Sequence, residues 1–97
     1  MRHEDVPYDE AIWAVDEAIA RVAAADPVGA TGLLSGALAM LDRAPYPALV
    51  RDARRFGSDA ADGLRDGDPE RAADFLVLLR HVTEDMGRLD ATTILAA

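Results

Sequence analysis

Asp66-Gly67-Asp68-Pro69-Glu70 is the stretch whose reading decides the fold. Gly67 permits a left-handed turn, Asp68 can accept hydrogen bonds from the unpaired amides of a first helical turn, and Pro69 suits the first helical position. One helix therefore ends here and another begins, across a link too short for anything but an antiparallel hairpin. Upstream, Asp26-Pro27 carries the same start signal. Between them, Ala44-Pro45-Tyr46-Pro47 stops a helix, because two prolines within three residues cannot continue one, and Pro47 can open the next. Working outward from these breaks gives helices at about 8–24, 27–43, 47–65 and 69–90, flanked by a short N-terminal arm and a C-terminal tail.

Apolar residues between the breaks recur at helical spacing, and strand alternation is missing. In the first segment Tyr8, Ile12, Val15, Ile19 and Val22 make one stripe, widened by Ala11, Ala18 and Ala23. The second, carrying Leu33, Leu34, Leu38, Met40 and Leu41, is apolar almost all round, as in a helix that is central or shared with a partner. The third presents Leu49, Ala53, Phe56, Ala60 and Leu64, with Val50 and Gly57 on its flank. The fourth presents Phe75, Leu78, Leu79, Val82, Met86 and Leu89, leaving Leu76 and Val77 off the stripe. The expected fold is all-α, a small antiparallel bundle or array of four helices in a single domain over 1–97. The repeated Asp-Pro start is read as reuse of an efficient cap rather than internal duplication. Beyond Ala30 with Ala72 and Leu34 with Leu76, the residues after the two caps align poorly.

Composition narrows the function classes. The 97 residues have room for one core, and 20 of them are alanine, so that core should be thin. A secreted domain of this size would ordinarily use disulfides, and the chain has no cysteine, which favours the cytoplasm. No apolar leader or run of membrane-spanning length is present, so neither export nor membrane insertion is expected. All ten bases are arginine, which excludes Schiff-base and phosphate-loop lysine chemistry, and with the alanine excess suggests the coding bias of a GC-rich bacterial genome. A net charge of −8 repels phosphates, so direct nucleic-acid binding is not expected. The cluster Arg43, Arg51, Arg54 and Arg55 reads as ion-paired helix surface.

Trp13 is the most informative residue, because it lies off the first stripe on a side shared with Ala20 and Ala24. Tryptophan is costly to leave in water and enriched at binding hot spots, so Trp13 and Ala20 are expected at an interface. Leu76 and Val77 form the second candidate patch. The leading reading is an acidic protein–protein interaction module, an adaptor, regulator, immunity-type inhibitor or accessory subunit. It should self-associate or hold a protein partner, preferably a basic one.

A second reading is a small enzyme or ligand-binding protein with a pocket at Asp16, Gly32, Gly36 and His81, where burial would raise the Asp16 pKa and make it a general base. Gly29, Gly32 and Gly36 are otherwise expected to admit a close neighbouring helix that offsets their poor helix propensity. A third reading is a nucleic-acid mimic using Asp59, Asp62, Asp66, Asp68, Glu70 and Asp74. No catalytic residue is assigned, since Ser35 and Ser58 lie inside helices without a nucleophile elbow. No metal or cofactor is expected either: Glu-x-x-His does not occur, and Asp74, His81, Glu84 and Asp85 are too loose a set.

Overall fold

A computed structural model describes residues 6–96, so most of the N-terminal arm and Ala97 lie outside the described residues. Its four helices are α1 (Tyr8–Ala23), α2 (Pro27–Leu41), α3 (Pro47–Arg65) and α4 (Pro69–Ala96). Each packs on its chain neighbours and α4 closes back on α1, giving an antiparallel four-helix bundle of 45 × 20 × 18 Å. Helix α4 does not stop near 90 as the sequence suggests, because nothing after Asp90 breaks it. Thr92 and Thr93 stay in register by donating their hydroxyls to the carbonyls of Arg88 and Leu89.

The two hairpin turns are the same turn built twice. After α1, the Ala25 amide donates to the Val22 carbonyl and the Asp26 amide to Arg21; after α3, Gly67 donates to Leu64 and Asp68 to Gly63. This is a left-handed helix stop running directly into an aspartate cap. The cap bonds match as well, Gly29 N donating to Asp26 Oδ1 at 3.0 Å and Arg71 N to Asp68 Oδ1 at 3.1 Å. One difference stands out: the left-handed position is Gly67 (φ 70) in one turn and Ala25 (φ 59) in the other. An L side chain costs about 1–2 kcal/mol there. Ala25→Gly should therefore stabilise the fold by about 1 kcal/mol in a urea melt, and Gly67→Ala should lose a similar amount.

The echo runs deeper than the caps. Asp26 and Asp68 lie 42 positions apart, and the same shift superimposes buried Ala11 on Ala53, Ala18 on Ala60, Ala30 on Ala72 and Leu34 on Leu76. The bundle is thus two similar helical hairpins, a repetition of structure that the poor residue-by-residue alignment conceals.

Each helix buries a seam stepping by three and four residues, the spacing that lets side chains interlock between near-parallel helices. On α4 the seam is Ala72, Leu76, Leu79, Thr83 and Met86, all fully buried. This corrects the stripe expected from sequence: Leu76 belongs to the core, while Leu78 and Leu89 are exposed. The seam includes a small alanine and a threonine, which a reading weighted to large side chains passes over. Thr83 tolerates burial because its hydroxyl donates to the Leu79 carbonyl at 2.8 Å. On α1 the seam is Tyr8, Ala11, Val15, Ala18 and Val22, with Ile12 and Ile19 only half-buried. On α3, Val50, Ala53, Gly57, Ala60 and Gly63 are buried, and Leu49, Phe56 and Leu64 pack from the edges.

Close helix approach occurs at glycines other than those expected. A Cβ at Gly57 would stand 2.6 Å from Leu38, and one at Gly63 would stand 2.8 Å from the Ala72 backbone nitrogen. At Gly32 and Gly36 a Cβ would meet nothing within 4 Å. These two glycines face open space.

Candidate functional site

That open space is a groove between α1 and α2. Its walls are Trp13, Leu33 and Met40, its floor is Ala14 with Gly29, Gly32 and Gly36, and Glu10 stands at its rim. Helical geometry places Gly29, Gly32 and Gly36 along one side of α2; the Asp26 carboxylate covers Gly29, and the backbone is bare from Gly32 to Gly36, about 6 Å of the trough. Trp13 projects over it with 61% of its surface exposed, on a chain that can hide much smaller apolar groups completely.

The other hairpin shows what the same trough looks like when it is filled. Shifted by 42 positions, Ala14 becomes Phe56, Leu33 becomes Phe75, Gly32 becomes Asp74 and Gly36 becomes Leu78. There the Phe56 and Phe75 rings stack with centroids 6.4 Å apart. Arg55, in the place of Trp13, lays its guanidinium over Phe56 at 5.3 Å. The α3–α4 trough is occupied by the chain's own side chains, whereas the α1–α2 trough is empty at Gly32 and Gly36 and holds only the Asp26 carboxylate beside Gly29.

The charge around the groove has one sign on α1 and no sign on α2. Asp9, Glu10 and Glu17 form no ion pair among the described residues, and α2 carries no charged side chain from Pro27 to Leu41. The nearest arginine along α1, Arg21, is held at 3.3 Å by Asp26.

The residues singled out from sequence are redistributed by the fold. Trp13, Gly32 and Gly36, assigned to two different readings, come together in one groove. Ala20 is exposed on α1 outside it, and Val77 is exposed on α4, one turn before Arg80. Leu76 is withdrawn as a surface candidate by its full burial. Asp16 is exposed and faces α4, where it accepts a hydrogen bond from Arg80 Nε at 2.6 Å, and Arg80 also donates to Glu84 at 2.5 Å. Without burial the argument for Asp16 as a general base loses its premise. His81 is exposed, its Nδ1 3.8 Å from Glu84 Oε1. Asp16 and His81 therefore take no part in the groove that holds Gly32 and Gly36.

The remaining candidates are accounted for in the same way. Among the described residues no group of three or more His, Asp or Glu is placed to hold a metal ion. In the acidic stretch, Asp62 pairs with Arg65, Asp66 with Arg71, and Asp68 is committed to its cap, which breaks up the surface a nucleic-acid mimic would need. Tyr8 has a buried hydroxyl with no hydrogen-bond partner among the described residues. Burial first, then repulsion from Asp90 and Tyr46, pushes its pKa up to about 12, so it stays a neutral phenol with no use as a base. Among the described residues no helix is long and apolar enough to cross a membrane.

Sequence reasoning missed Leu33 and Met40 as site residues. The signal was the all-round apolarity of α2, which names a partner-sharing helix without naming the face. No family model, curated protein or solved structure matches the chain.

Proposed function

We propose that this protein is an interaction module, acting as an adaptor, regulator, inhibitor or accessory subunit of the cytoplasm, and that it docks through the α1–α2 groove. The observation that carries the proposal is the exposed Trp13 beside an unfilled trough whose twin in the second hairpin is filled. A large rigid aromatic next to a concave apolar surface is the arrangement that concentrates binding energy at interfaces. The groove volume of about 530 Å³ also falls in the range of small-molecule sites. Such sites need several converging polar groups to orient a ligand, and among the described residues the only charged side chain in this lining is Glu10.

Trp13→Ala should leave the melting temperature nearly unchanged, because the ring is mostly exposed, while weakening association by about 2 kcal/mol, roughly 30-fold. Sedimentation of the pure protein reads self-association. Native purification from the source cells, with wild-type and Trp13→Ala baits, reads any other partner by its measured affinity. A protein that stays monomeric and retains no partner sensitive to Trp13→Ala overturns the proposal.

A further inference from the structure

We infer that the groove receives a basic amphipathic helix from a different protein. This rests on the docking reading above and names the occupant. The shape argues for a helix. Gly32 and Gly36 leave an open backbone-lined trough along α2, closed at its Gly29 end by the Asp26 carboxylate, with Leu33 and Met40 along it and Trp13 across it. A Cβ-free helix face lets another helix approach closely, and side chains spaced by three and four residues can enter the trough where Phe56 and Phe75 enter its counterpart.

The charge argues for a basic helix and against a second copy. In a two-fold dimer the same patch meets itself. This patch carries Asp9, Glu10 and Glu17, an α2 without charge, and Arg21 already engaged by Asp26. A second copy therefore has no uncommitted cation on α1 or α2 to set against the three carboxylates, and two chains of charge −8 repel. A helix with leucine-like residues on one side and arginine or lysine beside them satisfies both parts of the groove.

Two synthetic peptides of about 18 residues, five helical turns, test the inference when they share one leucine stripe and carry flanking arginines in one and glutamates in the other. Each is titrated into the intact protein while Trp13 emission is followed. The basic peptide should shift the emission to the blue, bind at least about tenfold more tightly than the acidic one, and weaken as salt is raised. Gly36→Leu, which projects into open space and so should fold, should abolish binding by filling the trough. Equal binding of the two peptides, undiminished binding to Gly36→Leu, or silence of Trp13 with both peptides overturns the inference. A peptide-free dimer that buries Trp13 also overturns it, while leaving the docking reading intact; that reading fails separately, by the bait comparison.

Discussion

Gly63→Ala is expected to destabilise the protein by about 1–3 kcal/mol, the usual cost of overpacking. The reason is geometric. Its Cβ would fall 2.8 Å from Ala72 N, 3.1 Å from Ala72 Cα and 3.2 Å from the Asp68 carbonyl oxygen, all backbone atoms of the turn entering α4. Backbone at a capped helix start cannot move aside as a side-chain end can. Elsewhere in a helix the same replacement is favourable, since glycine costs about 1 kcal/mol relative to alanine. Gly36→Ala is such a case: nothing stands within 4 Å of its Cβ, so it should gain stability. Urea melts of the two variants should therefore move in opposite directions. A stabilised Gly63→Ala would mean that α3 and α4 lie farther apart at their turn than described.

Leu76→Ala should cost about 2–5 kcal/mol, the range for deleting a fully buried leucine, because the residue lies wholly inside the α4 seam. Its neighbour gives the contrast. Val77 is 43% exposed, so Val77→Ala should change stability by less than about 0.5 kcal/mol. Adjacent residues with such different costs would establish the rotation of α4 about its axis. Equal costs would place both at the edge of the core, as their position off the size-weighted stripe suggested.

The helices were legible because their ends are written in local chemistry. Asp26-Pro27, Pro47 and Asp68-Pro69 each satisfy or remove an unpaired first-turn amide, and each is where a helix begins. Which face of each helix is buried was less legible. The seams depend on which two neighbours flank a helix, and residues such as Ala72, Thr83 and Gly57 enter them because they are small enough for close contact. A reading that ranks positions by side-chain size gives them no weight and promotes Leu78 and Leu89 instead.

The glycines show the same limit. Gly57 and Gly63 face another helix and Gly32 and Gly36 face space, a distinction set by helices remote in sequence. Trp13 was legible as exposed because its own helix places it away from Tyr8, Val15 and Val22. The groove beside it was not, since it exists only once the register of α1 on α2 is known. That register unites Trp13 with Gly32 and Gly36 and separates them from Asp16, which α4 holds through Arg80.

Photo-crosslinking in the source cells with Trp13→p-benzoylphenylalanine, compared with the same probe at Arg55, Trp13's exposed counterpart on the filled α3–α4 trough, tests the docking directly. One discrete protein adduct is expected from position 13, lost when Gly36→Leu fills the groove, and none of that mass from position 55. No adduct at position 13, or the same adducts from both positions, would contradict the docking claim.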